Sequence, residues 1–534
     1  MHSLIENMLE KAVYRWLFTI KSGVLLILSF PFSGSLFPLI FVALVPLILV
    51  ENALRRKSSF SVFVHAYIAF FIYNIGVTWW VYNSSVEGGL MAFIANSLLM
   101  ALAFLLYHRI KRKIGSHWQV LLFASVWLSF EFLHFNWELS WPWLTFGNVF
   151  ANVPILVQWY SITGVLGGSF WVLIANGVIA KYLIVNEENP WRKRALKTLV
   201  VVIVSPILIS LSIYFSKDTG GREFQILVLQ PNVDPYEKFT TSSEQQLNDL
   251  MSQIDHSISP KTKLIIAPET SLLPGFAFDE DRINREVISH LFREKRAGWN
   301  NADILIGATT QRLFDEPNSH VSKFIPEMNQ YYETYNSSLL FSNKSTIDIV
   351  HKSKLVLGVE KIPFSRYFPS LENLAIDLGG SSGTLGIEDD YEVLQTRKTI
   401  FTPSVCYESI YGEFVAKQTK KGSGFIAIIT NDGWWGNTPG HRQHFELARL
   451  RAIENNKYVV RSANTGISGV INNRGDVVIK TDYWKKDAFA TSIYLNESNT
   501  IYQYLGDFIA YFALIATVIF YVMRWVLTRK SIES

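Results

Sequence analysis

The sequence predicts a bundle of about eight membrane-spanning α-helices joined to an α/β layered domain. Three observations lead there. Apolar runs of roughly 20 residues, the length needed to cross a ~30 Å hydrocarbon core, recur through residues 1–215 and once more near the C-terminus. Residues 222–495 instead alternate short β-rich runs with polar, helix-like stretches. Hydrophobic residues make up 49% and charged residues 18% of the 534, too apolar a balance for an ordinary soluble enzyme.

The first seven spans are expected near 12–31, 36–52, 60–82, 89–107, 118–136, 164–185 and 197–215. The first lacks an A-x-A-like cleavage site and is followed at once by others, so it reads as a span and not as a cleaved signal peptide. Lys and Arg mark one set of connections: Arg55, Arg56 and Lys57, then Arg109, Lys111, Arg112 and Lys113, then Arg192, Lys193, Arg194 and Lys197. The alternate connections, 83–88 and 137–163, contain neither residue type. Positive loops stay in the cytoplasm. An inside N-terminus followed by seven spans therefore carries residue 216 to the outer side.

The second uncharged loop is rich in aromatics, with Trp137, Trp141, Trp143, Trp159 and Tyr160, and Pro142 stands between two of the tryptophans. An interfacial aromatic belt and an acyl-chain or headgroup surface are both consistent with it. His65, Glu131 and His134 fall in or beside spans, where an ionisable group raises a functional question. No second acid or base stands at matching depth to form a relay, so structural hydrogen bonding is expected.

After the plausible linker Ser216-Lys-Asp-Thr-Gly-Gly221, strands are expected near 224–229, 264–267, 304–308, 338–341, 348–351, 399–405, 425–430, 458–462, 469–471 and 477–479. Helices fit 242–256, 281–296, 409–421 and 441–455. Several strands are solid apolar runs, as expected of strands buried beneath helices. A final span at 503–527, followed by Arg529 and Lys530, returns the chain to the positive side. The α/β domain is thus held at both ends beside the bilayer.

Cys406 is the only cysteine, which excludes an intramolecular disulfide and any Cys-cluster metal site. It stands between a β-rich run and a helix-like run. On such a turn the helix dipole favours thiolate, although a lone cysteine is more often a small buried hydrophobe. Three other stretches carry chemistry. Leu264-Ile-Ile-Ala-Pro268-Glu269 ends an apolar strand in a carboxylate. His351-Lys352 and Glu360 place a lysine and a carboxylate eight residues apart. Asn431-Asp432-Gly433-Trp434-Trp435 follows the cysteine. A thiol needs a proton acceptor and a positive neighbour: Glu269 supplies the first, and Lys352 can stabilise thiolate and oxyanion. No P-loop or dinucleotide-binding turn is present, so nucleotide chemistry is not expected.

These residues resemble the nitrilase (carbon–nitrogen hydrolase) superfamily, whose Glu-Lys-Cys triad occurs in this order on an αββα sandwich. The matching residues are Glu269, Lys352 and Cys406. Asn431-Asp-Gly-Trp-Trp and Arg451-Ala-Ile-Glu454…Arg461-Ser-Ala-Asn464-Thr-Gly466 resemble downstream family segments. The whole chain is similar to the apolipoprotein N-acyltransferase family, with Trp141-Pro-Trp143-Leu…Gly147 resembling its outer-loop motif. That resemblance implies Glu360 as a second essential carboxylate, Tyr407 and Glu408 as residues flanking the nucleophile, and supporting roles for Phe239, Trp434, Trp435, Trp141 and Trp143. Two features depart from the family pattern. Leu357-Gly-Val-Glu360-Lys361 replaces a Pro-Phe-Gly-Glu-Tyr-like run, and Phe239 replaces a tryptophan, removing an indole hydrogen bond.

The resemblance further implies a bacterial inner-membrane enzyme with its catalytic domain on the periplasmic side and both termini cytoplasmic. Its acyl donor would be a phospholipid. Its acceptor would be the N-terminal diacylglyceryl-cysteine of an apolipoprotein. No metal, organic cofactor or nucleic acid is implied. Two apolar stretches, 272–278 with Phe276 and Phe278 and 362–368 with Phe364, Tyr367 and Phe368, are expected to admit acyl chains and exclude water. The triad alone would also permit a membrane-tethered amidase acting on small amides, and a degenerate, non-catalytic membrane scaffold is the reading from another class.

Overall fold

The computed structural model describes residues 2–186, 188–238, 241–272, 277–374, 384–388 and 390–533. Phe239 and Phe276 lie outside the described residues. The chain divides into two compact units, one made of Met1–Tyr82, Gly89–Ser216 and Leu505–Ser534, the other of Asn83–Gly88 and Lys217–Tyr504.

The first unit is helical. Among the described residues, eight helical segments are long and apolar enough to cross a membrane: Ala12–Ser29, Phe37–Leu54, Ser59–Thr78, Val86–Lys111, Ser116–Phe135, Tyr160–Ile184, Pro190–Ser216 and Phe508–Arg529. The helix expected from 164 begins four residues earlier, at Tyr160. Gly164 sits inside it with φ 62° and ψ −174°, a left-handed backbone that glycine adopts without Cβ strain. That interruption hid the first turn.

The aromatic loop folds into short 3-10 turns, Pro142–Leu144, Phe146–Asn152 and Pro154–Leu156. Trp143 is 1% exposed and packs on Trp80, with ring centroids 4.9 Å apart. Trp141 is half-buried and stacks on Trp143 at 6.0 Å. Glu131 fastens this loop to its helix, because one carboxylate oxygen accepts both the Phe146 N–H at 3.0 Å and the Trp127 indole N–H at 3.1 Å. Trp137 donates to His134 Nδ1 at 3.0 Å, and His65 Nδ1 pairs with the Thr19 hydroxyl at 2.7 Å. These are the structural hydrogen bonds expected of intramembrane polar groups.

In the second unit the described residues form fourteen strands: β1 (Arg222–Gln230), β2 (Leu264–Ile266), β3 (Phe278–Asp279), β4 (Asp303–Phe314), β5 (Lys323–Ile325), β6 (Gln330–Phe341), β7 (Asp348–His351), β8 (Leu394–Gln395), β9 (Ile400–Val405), β10 (Ser423–Thr430), β11 (Tyr458–Ala463), β12 (Gly469–Ile471), β13 (Val477–Lys480) and β14 (Asp487–Leu495). One sheet has the order β14-β1-β2-β4-β6-β5, with β3 beside β4 and β7 beside β6. The other runs β13-β12-β11-β10-β9-β8.

Side-chain alternation explains the solid apolar runs. Ile226, Val228 and Ile266 point into a core shared with Phe401, Val405, Ala427, Ile429 and Val460 of the second sheet. Leu227, Leu229 and Ile265 point the other way, onto Leu250 and Ile254 of helix Ser243–Ser257 and Phe292 of helix Val287–Gly298. Helices Gly412–Thr419 and Pro439–Asn455 accompany the second sheet. The layers are therefore helix, sheet, sheet, helix. Each buried Val, Leu, Ile or Phe stabilises this sandwich by about 1.5–3 kcal/mol relative to exposure.

Four strands lie outside the sequence expectation: β3, β5, β8 and β14. The β4–β6 ladder also extends well beyond its apolar halves, from Ile304↔Phe341 to Phe314↔Tyr331. The outer halves and β14 are only partly buried, so their sequences carry no continuous apolar signal. The helix expected over 409–421 is two pieces, a 3-10 turn Cys406–Ile410 and the helix Gly412–Thr419.

Candidate active site

Three strand ends supply the three residues singled out by the sequence. Glu269 lies three residues beyond β2, Lys352 directly follows β7, and Cys406 directly follows β9. Close approach of β4 holds the first of these. A Cβ on Gly307 would lie 2.5 Å from the Thr270 nitrogen and 2.6 Å from Glu269 Cα. Gly307 can therefore donate to the Pro268 carbonyl at 3.0 Å and accept from Ser271 at 2.8 Å. Cys406 has φ 52°, a left-handed conformation that is strained for a residue with a side chain. The chain reverses there into the 3-10 turn, closed by the Ser409 hydroxyl donating to the Cys406 carbonyl at 2.7 Å.

The carboxylates converge on the lysine. Lys352 Nζ donates to Glu360 Oε1 at 2.8 Å and to Glu269 Oε1 at 3.2 Å. Asn336, on β6, donates its amide to the same two oxygens at 3.0 and 2.8 Å. The Asn336 carbonyl also accepts the Lys352 backbone N–H at 2.7 Å. Lys352 is 1% exposed, Glu269 6% and Cys406 9%. Burial works against the lysine charge, but Glu269, Glu360 and the Cys406 sulfur hold its pKa well above the ordinary lysine range. Burial and the charge of Glu269 push the Cys406 thiol well up, outweighing the opposing pull of Lys352.

This reverses the expectation of a dipole-stabilised thiolate. Only a short 3-10 turn starts at Cys406, and the α-helix begins at Gly412. Burial, with the charges of Glu269 and Asp432, outweighs the pull of Lys352. The resting thiol keeps its proton.

Glu408 acts on both sides of the cluster. Its carboxylate accepts the backbone N–H of Val405 at 2.8 Å, of Ser353 at 2.6 Å and of Lys354 at 3.3 Å. Burial raises its pKa to about 7 despite those bonds. Tyr407 is buried, its ring edge-on to Tyr411 at 5.4 Å. The Asn431–Trp435 segment braces the cysteine from behind. Asp432 Oδ1 is 3.0 Å from His444 Nδ1, and His444 Nε2 lies 3.2 Å from the Cys406 carbonyl. Arg461 donates to the other Asp432 oxygen. Burial would raise Asp432, but the Arg461 guanidinium and His444 hold it well below the usual carboxylate range. Burial and Arg461 in turn depress His444.

Trp435 stacks edge-on to His444 at 5.7 Å, and Trp434 meets Tyr236 at 5.3 Å. Trp141 and Trp143 belong to the helical unit.

Sequence reasoning missed Asn336, Lys238, Asp432 and His444 as individual site residues. Asn336 carried one signal, a carboxamide followed by the apolar end of β6. Lys238 is buried and donates to the Glu269 carbonyl at 3.3 Å, with burial pushing its pKa down to about 8. His444 lies on a helix whose buried positions include many polar residues, so no periodicity distinguished it.

Residues 228–503 match the family model described as carbon-nitrogen hydrolase. The chain belongs to the carbon–nitrogen hydrolase family. The αββα unit holds the residues of that match, and residues 22–178 match a second model, the apolipoprotein N-acyltransferase N-terminal domain. Similar curated proteins include the apolipoprotein N-acyltransferase of Chlorobaculum tepidum, 28% identical over 92% of this chain and 93% of that protein. The apolipoprotein N-acyltransferase of Geobacter metallireducens is 25% identical over 97% of this chain and 96% of its own. A solved carbon–nitrogen hydrolase superfamily protein from Xanthomonas campestris aligns at 16% identity and a TM-score of 0.35, covering 51% of this chain and 91% of that one.

Proposed function

We propose that this protein is an apolipoprotein N-acyltransferase, moving an acyl chain from a membrane phospholipid to the α-amino group of a lipoprotein's N-terminal diacylglyceryl-cysteine. The observation that carries this reading is the pairing of a carbon–nitrogen hydrolase domain with an N-acyltransferase helical domain in one chain, matched nearly end to end by curated relatives of that name.

The site supports a two-step covalent mechanism. The neutral Cys406 thiol gives its proton to Glu269 as sulfur attacks the ester carbonyl, so charge separation occurs only when the nucleophile is used. Lys352, kept cationic by its carboxylates, donates to the forming oxyanion. The C–O ester bond then breaks, and the lysophospholipid oxygen takes the proton held by Glu269. A thioester on Cys406 remains.

In the second step the acceptor amine attacks the thioester carbonyl and Glu269 removes its proton. The C–S bond breaks, and that proton returns to sulfur. Glu360 and Asn336 keep Lys352 and Glu269 in place through both steps.

The catalytic domain is read as extracytoplasmic. Lys and Arg concentrate in the connections after residues 54, 108 and 190, while 83–88 and 137–163 lack them. Residues 83–88, one of the uncharged connections, cluster with 217–504. Asn83 donates to the Trp435 carbonyl at 3.0 Å. Both observations favour the outer side, with the termini in the cytoplasm of a bacterial inner membrane.

The test is intact-mass measurement of the full chain after incubation with phospholipid. An acyl-sized increment that disappears in Cys406→Ala is expected. No increment, with turnover of small amides, would replace the transferase by a tethered amidase.

A further inference from the structure

A second polar site lies within the helical unit. The segments Phe37–Leu54, Val86–Lys111, Ser116–Phe135 and Tyr160–Ile184 contribute to a cleft with about 560 Å³ of empty space, part of it open to solvent. Arg55, Lys111 and Lys181 line it with Asn52 and Gln119. No acidic side chain lines it among the described residues.

Glu51, buried behind the lining, receives a hydrogen bond from Lys111 and pairs with His108 Nδ1 at 2.8 Å. That arrangement neutralises Lys111 and holds it in place. Arg55 is exposed, and Lys181 lies with Nζ 4.3 Å from the centroid of the Trp191 ring. These two cations give the cleft its net positive charge. Ile48, Phe123 and Ile184 complete the wall, offering methylene-sized apolar surface beside the charges.

We propose that this cleft binds the headgroup of an anionic phospholipid, with Arg55 and Lys181 on the phosphodiester and the acyl chains leaving along the apolar wall. Charge selects an anion, carboxamides supply further donors, and the apolar wall favours a lipid over free phosphate. Basic recesses between spans next to positively charged loops are where anionic headgroups are attracted. The basic connections containing Arg55–Lys57 and Arg109–Lys113 lie at the chain ends of these same segments, and Arg192–Arg194 open the segment that follows Tyr160–Ile184. This assignment is independent of the acyl-transfer reading, because none of its residues belongs to the Glu269, Lys352 and Cys406 cluster.

Native mass spectrometry of the detergent-solubilised full chain tests it, with phosphatidylglycerol, phosphatidylcholine and inorganic phosphate titrated separately. Phosphatidylglycerol is expected to bind more tightly than phosphatidylcholine. Arg55→Gln with Lys181→Gln should weaken phosphatidylglycerol about 25-fold, roughly fivefold per cation removed, and leave phosphatidylcholine unchanged. Each single variant should give an intermediate value, which guards against a misfolded double variant, and an unchanged thermal midpoint of the detergent-solubilised chain reports an intact fold. Equal affinity for the two lipids, or an unchanged phosphatidylglycerol affinity in the variants, overturns the proposal. Displacement of the lipid by millimolar inorganic phosphate would make this a free-phosphate site and overturn it as well.

Discussion

Glu408 accepts the Ser353 backbone N–H at 2.6 Å while its other oxygen accepts that of Val405 at 2.8 Å. One carboxylate thus ties the residue after the lysine to the residue before the cysteine. In Glu408→Gln the amide NH2 replaces one acceptor and faces a backbone donor. Acyl-adduct formation should slow by about 100-fold, the scale expected of a misplacement near 1 Å, measured as the single-turnover rate on Cys406.

The same residue sets a pH dependence. Burial raises the folded pKa of Glu408 to about 7, above its ordinary 4.5. The folded chain therefore holds a proton that the unfolded chain has released between those values. Stability from this source is full below the lower value and is lost as pH rises through the upper one. Thermal midpoints of the detergent-solubilised chain at pH 5.5 and 8 should show that loss in the wild type. Glu408→Gln should lack it; an identical slope in both proteins refutes the assignment.

Lys352 meets two carboxylate oxygens with a single Nζ, at 2.8 and 3.2 Å. A planar guanidinium cannot place one donor at that point in a fully buried site. Both Lys352→Arg and Lys352→Met should lower the acylation rate by about 100- to 1,000-fold, the usual cost of losing an oxyanion donor. A Lys352→Arg enzyme near wild-type rate would exclude the point-charge role.

Gly307 is a purely geometric test. Its added Cβ would press on the backbone at Glu269 and Thr270, and overpacking of this kind costs about 1–3 kcal/mol. Gly307→Ala should remain folded by thermal scanning yet form the acyl adduct far more slowly. Unchanged acylation would mean that Glu269 does not depend on this approach.

Asp432 is fully buried with Arg461 and His444. Asp432→Asn leaves the guanidinium without its counter-charge, a loss on the order of 3–5 kcal/mol for a buried pair. The thermal midpoint should fall by about 10 °C. The contribution is present above the ordinary aspartate pKa and disappears as pH falls through the depressed folded value, so the variant should differ least in strong acid.

Legibility in the sequence followed chemical contrast. The eight candidate spans were visible because a run of about twenty apolar residues suits a bilayer crossing and little else, and their ends shifted by up to seven residues, the largest at Pro190, where polar residues open the helix. Glu269, Lys352 and Cys406 stood out because each charge or thiol ends an apolar strand. Asn336 and Glu408 did not reveal their tasks. Asn336 bridges two carboxylates from a neighbouring strand, and Glu408 binds main-chain groups far away in sequence, so neither relation has a local pattern. The resting protonation of Cys406 was equally hidden, since it depends on burial and on the balance of Glu269, Lys352 and Asp432 in space. Strand β14 escaped notice because an edge strand with a mixed surface lacks a continuous apolar run.

Alkylating reagents attack thiolates, and the sole sulfhydryl of this 534-residue chain is buried and kept protonated. The expected outcome is slow reaction of the native protein with a maleimide, checked by intact mass against the unfolded chain. A cysteine introduced on an exposed surface becomes the one position that a fluorophore or spin label finds quickly. Distances and motions can then be followed in a chain that keeps Cys406.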